Sequence, residues 1–166
     1  MAVDVGAHIG LWTRGLADKF KWVTAFEPVA ENFACLEMNA GHLKNTRLVN
    51  VALGAMPSFC SMILPTGGNS GCWRVRSGGN IEMRTLDSFM LNNVDLIKID
   101  VEGLEGEVLT GARETIACWR PTIVFEENGL GVKHYGTDWV DPAVVLTPLR
   151  YKRIAVFAKN DIWVSC

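Results

Sequence analysis

The sequence predicts an α/β domain with a doubly wound, mainly parallel sheet and a C-terminal antiparallel hairpin. Three observations carry that prediction. Strand-like and helix-like stretches alternate along most of the chain. A glycine-framed turn, "DVGAHIG" at 4–10, follows directly on the first apolar run. The last sixteen residues, "YKRIAVFAKNDIWVSC", read as two strands about a turn at Lys159-Asn160-Asp161.

The elements follow in order. "AVDV" is a short buried strand ending at the glycine turn. "IGLWTRGLADKF" carries Ile9, Leu11, Trp12, Leu16 and Phe20 at near-helical spacing, which predicts a helix starting near Ile9. "KWVTAFE" (21–27) is the second strand and ends at Glu27-Pro28. "AENFACLEMNAG" predicts a helix with Phe33, Leu36 and Met38 on its apolar face, stopping near Gly41. "TRLVNVALG" (46–54) predicts a third strand. "SFCSMIL" (58–64) and "NIEMRTL" (80–86) alternate as a strand pair, and the glycine-rich "PTGGNSGCWRVRSGG" between them predicts a long loop. "VDLIKIDV" (94–101) is a buried strand. "LEGEVLTGARETIACW" (104–119) predicts one helix facing the core with Val108, Leu109, Ala112, Ile116 and Trp119. "PTIVFEE" (121–127) is a further strand. "DPAVVLTPLR" (141–150) predicts a short helix that Pro142 starts and Pro148 limits.

Composition narrows the classes. At 166 residues, with 49% hydrophobic and 20% charged, the chain suits one folded domain over 1–166. A net charge of −2 argues against a protein that mainly grips nucleic acid. No apolar run reaches the roughly 18 residues of a membrane span, and the first ten residues lack the pattern of a signal peptide. Five cysteines, with no CxxC pair, predict neither a disulfide framework nor a zinc site and fit a reducing, cytoplasmic setting. The scattered His8, His42 and His134 predict no metal site.

In a sheet of this kind ligands bind beyond the carboxyl ends of the strands, where strand order reverses. That directs attention to Asp4–Gly10, Glu27, Val51–Gly54, Asp100–Gly103 and Glu126–Asn128. A glycine turn lets backbone approach a ligand closely, and the helix after it aims free N–H groups at that ligand. Glu27 lies about 20 residues on, the spacing of an acid that accepts hydrogen bonds from ribose hydroxyls. The turn itself lacks the second close glycine of GxGxxG. It therefore suits an adenosine cofactor without phosphates better than a dinucleotide.

On "DVGAHIG", "AFEPVAENFACLEMN" (25–39), "LVNVALG" (48–54), "RTLDSF" (84–89), "LIKIDVEGLEGEVLTGARETI" (96–116) and "RPTIVFE" (120–126), taken in this order, the chain resembles the FkbM family of S-adenosylmethionine-dependent methyltransferases. That family belongs to the Rossmann-like, class I methyltransferases. The resemblance implies that Asp4, Gly6, Ala7, His8 and Gly10 shape the loop around the methionine part of S-adenosylmethionine. It implies that Glu27, with Pro28, holds the ribose, and that the backbone at Ala52 and Leu53 lies against the adenine. Asp100 and Glu102 would end the fourth strand of the main sheet beside the reacting methyl group. Asn69, Ser70 and Gly71 match the family's hairpin-loop turn more loosely. Two departures stand out. Family members usually carry sequence before the first strand, so a lid is absent or comes from the glycine-rich loop. The segment after Glu126 is short and leaves little material for a substrate-binding insertion.

The implied reaction is O-methylation of a sugar, glycan or small metabolite. Alternatives are nucleic-acid methylation and a cofactor-binding interaction module without turnover. The first of these lacks an aromatic Asn/Asp-Pro-Pro-aromatic motif after the fourth strand. A hydroxyl acceptor must lose a proton, and Asp100 and Glu102 are the candidate bases. Asp100, at the end of "LIKID", is expected to matter most for turnover. Continued strand alternation would put both acids and Lys98 on one side, where the lysine can hold a carboxylate in its charged form. His8 is a rival base that the sequence reads as packing. Trp73 between Arg74 and Arg76, and Trp139, suit either an acceptor contact or a solvated surface.

Overall fold

The computed structural model describes residues 1–67, 70–126, 129–157 and 159–166. Four short apolar segments set the parallel core of the main sheet: β1 (Ala2–Val5), β2 (Val23–Phe26), β8 (Leu96–Ile99) and β9 (Thr122–Glu126), with β3 (Thr46–Val49) outside β2. Every residue of β1 and β2 is buried, as expected for strands covered on both faces. The C-terminal strands β10 (Tyr151–Phe157) and β11 (Asn160–Ser165) complete the order β10-β11-β9-β8-β1-β2-β3. β11 runs antiparallel to β9, and β10 antiparallel to β11. Strand order reverses between β1 and β8, which pair directly, Val5 opposite Ile99.

Two helices lie early in the chain. The first, α1 (Leu11–Ala17), starts two residues later than the spacing predicts, because Gly10 takes φ +89° as its N-cap. A Cβ on Gly10 would press on Leu36 of α2 (Ala30–Ala40). In α2, Asn32, Leu36 and Ala40 face inward. Phe33 packs beside them, whereas Met38 points to solvent at 81% exposure, off the expected face.

Three segments depart from the sequence reading. The expected strand 46–54 breaks at Asn50, whose side-chain amide donates to the carbonyls of Glu27 (2.7 Å) and Pro28 (3.2 Å). Beyond the break, β4 (Ala52–Leu53) leaves for a second sheet ordered β4-β7-β5-β6. There β5 (Ser58–Ile63) and β7 (Ile81–Arg84) form the expected antiparallel pair. Part of the expected loop is itself a strand, β6 (Arg74–Ser77), which pairs with β5. The helix expected over 104–119 is two, α3 (Glu105–Thr110) and α4 (Arg113–Trp119). Asp87 explains the split. Its carboxylate accepts from the backbone N–H of Glu114 (3.0 Å) and Thr115 (2.8 Å) and from the Thr115 hydroxyl (2.7 Å), so it caps a new helix start. Val108, Leu109, Ala112 and Ile116 still reach the core as their spacing predicts. After β9, α5 (Leu130–Tyr135) and α6 (Pro142–Leu146) complete the chain's helices among the described residues; α5 has no counterpart in the sequence reading.

One buried cation holds the centre of the sheet. Lys98 on β8 reaches Asp4 of β1 (3.3 Å), Asp100 (3.5 Å) and the Gly6 carbonyl (3.3 Å). The Lys98 side chain is 5% exposed and that of Asp4 is fully buried. Thr13 of α1 donates to the other Asp4 oxygen at 2.7 Å. Removing one member of such a pair strands a buried charge. Lys98→Met is therefore expected to lower unfolding free energy by about 3 kcal/mol or more in denaturant titration; wild-type stability in that variant would contradict this role.

Candidate active site

The site lies where strand order reverses. Past Val5 the chain turns at Gly6 (φ +74°), and a Cβ there would overlap the Asp100 carbonyl. The two strand ends thus approach as closely as backbone allows, and only glycine permits it. Asp100 follows β8 and donates its N–H to the Val5 carbonyl at 3.0 Å. Together with β2, the second sheet and residues Ser70, Gly71 and Trp73, these ends enclose a cleft of about 810 Å³, counted with its open mouth.

Of the residues singled out in the sequence, Gly6, His8, Glu27, Pro28, Ala52, Leu53, Asp100 and Glu102 line this cleft. Three others lie behind it. Asp4 holds Lys98 and Thr13 beneath the loop. Ala7 packs against Ala25, Leu36 and Ala40. Gly10 seats α1 on α2. Their contribution is to the loop's shape. Asn69, Glu127 and Asn128 lie outside the described residues.

Glu27 is 4% exposed. One carboxylate oxygen accepts from the His8 N–H at 2.8 Å and the other from the Val29 N–H at 2.9 Å. Burial pushes its pKa up, and those two hydrogen bonds, with help from Asn32 and Lys98, work against the rise. A carboxylate oxygen can accept more than one hydrogen bond, so hydroxyl donors from the cleft would complete the set. His8 itself sits at φ +52°, a conformation uncommon for a side-chain-bearing residue. Its Nε2 lies 3.0 Å from the Ser70 hydroxyl, and the Asn32 amide donates to the Ser70 carbonyl at 3.0 Å. Ser70 is thereby held against the cleft.

The 100–103 turn differs from the extended strand that alternation would require. β8 ends at Ile99, and Glu102 and Gly103 take φ +56° and +109°. Glu105, which the sequence reading missed, holds this turn. Its buried carboxylate accepts from the N–H of Gly103 (3.1 Å) and Val101 (3.4 Å). The spacing E-G-x-E is its only trace in the sequence. Lys98 nonetheless reaches Asp100, whose side chain is 39% exposed on the cleft wall. Burial raises the Glu102 pKa, and the charges of Asp100 and Glu126 add to it.

The charge of the lining is lopsided. Glu27, Asp100, Glu102 and Glu126 line the cleft, and no lysine or arginine does among the described residues. Phe26, Val51, Leu53, Met62, Val75 and Leu104 supply an apolar wall. Phe26, Asn32, Met62 and Val75 gave no separate signal in the sequence, since their roles depend on how the two sheets meet.

Comparison with known proteins agrees with this architecture. The chain superimposes on a methyltransferase FkbM of Methylobacillus flagellatus KT with a TM-score of 0.63 at 20% identity, covering 98% of this chain and 42% of that one. It superimposes on the N-methyltransferase NodS of Bradyrhizobium japonicum WM9 with a TM-score of 0.51 at 13% identity, covering 98% of this chain and 81% of that one. The fold is that of the class I methyltransferases. More narrowly, residues 4–136 match the methyltransferase FkbM domain, and the chain belongs to that family. It spans less than half the length of the M. flagellatus protein. Among curated proteins no sequence is significantly similar. Among the described residues no helix is long and apolar enough to cross a membrane.

Glu105 generates a pH prediction. Burial lifts its pKa from the ordinary 4.5 to about 7. The native chain then keeps a proton that the unfolded chain has released, so this stabilisation is complete below 4.5 and is lost as pH rises to about 7. The loss amounts to roughly 3 kcal/mol at 1.36 kcal/mol per pKa unit. Glu105→Gln is expected to abolish that part of the slope in unfolding experiments between pH 4.5 and 8; an unchanged slope would place the titration elsewhere.

Proposed function

We propose that residues 1–166 form one catalytic domain that transfers a methyl group from S-adenosylmethionine to a hydroxyl of a sugar, glycan or small metabolite. The observation that carries this reading is the acidic cleft, which no lysine or arginine lines among the described residues. A dinucleotide brings a pyrophosphate, which such a lining repels. S-adenosylmethionine brings a sulfonium and an ammonium, which it attracts. The family membership supports the same cofactor, and the absence of a basic lining argues against nucleic acid as the acceptor. The cysteine pattern suits a cytoplasmic setting.

The residues fit the cofactor as follows. Glu27 accepts from the ribose hydroxyls, with Pro28 closing that end. The backbone at Ala52 and Leu53, with Phe26 and Val51, borders the adenine. Gly6 and His8 frame the methionine part, and Asp100 faces its positive groups. When bound, S-adenosylmethionine supplies a methyl group already activated by a sulfonium.

The chain's own residues then position the acceptor and remove its proton. A hydroxyl that accepts the methyl group S-adenosylmethionine would supply must give up its proton. Glu102 takes it, because its raised pKa makes it the better proton acceptor of the two turn acids. Asp100 already answers the Lys98 charge and acts in positioning.

Three expectations separate these roles. Glu27→Gln is expected to weaken S-adenosylhomocysteine binding by about 2–3 kcal/mol in calorimetry, the scale of lost charge-assisted hydrogen bonds; an unchanged dissociation constant would remove Glu27 from the site. Glu102→Gln is expected to slow methyl transfer to a sugar acceptor by roughly 100-fold or more while S-adenosylhomocysteine affinity holds. Asp100→Asn should weaken affinity as well as turnover. Full turnover in Glu102→Gln would refute its assignment as the base.

A further inference from the structure

A second, larger groove lies beside the cofactor cleft, about 1650 Å³ with its open mouth. Val75 and Leu104 line both spaces, so only these side chains and their neighbours divide them. One wall is β6, with Arg74 and Arg76. Another is α5 and the turn after it, with Lys133, His134, Tyr135 and Asp138; Glu107 of α3 also contributes. The segment after Glu126, short as it is, thus supplies a wall of this groove.

The groove holds an unusual set of unsatisfied polar atoms. Among the described residues Arg74 Nε and one His134 ring nitrogen are buried at this groove without a hydrogen-bond partner, the other ring nitrogen bonding to the Glu102 backbone. Buried polar groups without partners are costly and rare, so two at one groove point to a missing ligand. Arg74, Arg76 and Lys133 make no ion pair among the described residues. The Arg74 charge acts on His134 and also on Glu102, the proposed base, and the His134 ring bonds the Glu102 backbone, which links this groove to the cofactor cleft. Burial, then the Arg74 charge, pushes the His134 pKa down, with the Glu102 backbone offsetting part of the shift. A neutral imidazole offers one donor and one acceptor.

We propose that this groove is the acceptor site and that it takes a hydroxylated acceptor bearing an anionic group, with Arg74 holding the anion and His134 a hydroxyl. The assignment rests on the methyltransferase reading. The Arg74 guanidinium donates to the anion, and the His134 nitrogen that does not bond the Glu102 backbone accepts from an acceptor hydroxyl. Glu107 and Asp138 also line the groove and would repel an anion, which confines the anion's place to the Arg74–His134 end.

The test is NMR of the Arg74 Nε–H and His134 ring resonances during titration with glucuronate, glucose 6-phosphate and glucose. Each titration is run with and without S-adenosylhomocysteine. At least one of the two anionic sugars is expected to shift these resonances at concentrations where glucose does not, and the responding sugar shows whether carboxylate or phosphate is preferred. Arg74→Gln is expected to weaken that binding at least tenfold while S-adenosylhomocysteine affinity stays within twofold. Equal binding of glucose and the anionic sugars would overturn the proposal, as would the absence of any shift at Arg74 and His134. Failure of S-adenosylhomocysteine to bind would instead overturn the cofactor reading, and the titrations run without it still decide this one.

Discussion

The structure depends on one buried ammonium. Lys98 stands at the middle of the sheet, where β1 and β8 part, and answers Asp4, Asp100 and the Gly6 carbonyl together. Asp4 in turn receives the Thr13 hydroxyl, which ties α1 to the same point. Without this charge, Asp4 would be an uncompensated carboxylate in the interior. With it, the two strand ends, the glycine turn and the first helix form a single rigid rim. The glycine loop at 6–10 is built on that rim. The lysine is thereby consumed in structure and leaves the cleft itself acidic.

That division of charge links the fold to the chemistry. The cation sits behind the strand ends, and the carboxylates Glu27, Asp100, Glu102 and Glu126 face the cleft. Two of the cleft's residues, His8 and Glu102, are held at positive φ. Such conformations cost free energy and persist where surrounding contacts dictate them. Here the contacts are visible. The His8 N–H is held by Glu27, and the turn after Glu102 is held by Glu105. Two buried glutamates thus fix the two loops whose side chains line the cleft.

Much of this was legible in the sequence because strand ends are simple to find. Gly6, Glu27 and Asp100 each follow directly on the end of a strand-like run, and in a parallel sheet such ends gather on one edge. Asp4, Ala7 and Gly10 share the same motif, yet they turn inward and support the loop. A linear pattern does not distinguish lining from support when both lie within seven residues. The second sheet was only half legible. Its β5–β7 pair showed alternation, whereas β6 was hidden in a glycine-rich stretch and β4 in the tail of an apolar run. Glu105 was hidden because it acts on backbone N–H groups, and that demand appears only once the 100–103 turn has formed. The split between α3 and α4 likewise needs Asp87, which reaches it from another segment.

The central claim is that the acidic cleft between β1, β2 and β8 holds S-adenosylmethionine, with its ribose on Glu27 and its positive end at Asp100. The most direct measurement is a crystal structure of the chain with S-adenosylhomocysteine. It should place both ribose hydroxyls within hydrogen-bond distance of the Glu27 carboxylate, with the adenine against the Ala52–Leu53 backbone. A ligand bound elsewhere, or bound in the cleft with its ribose turned away from Glu27, would contradict the account.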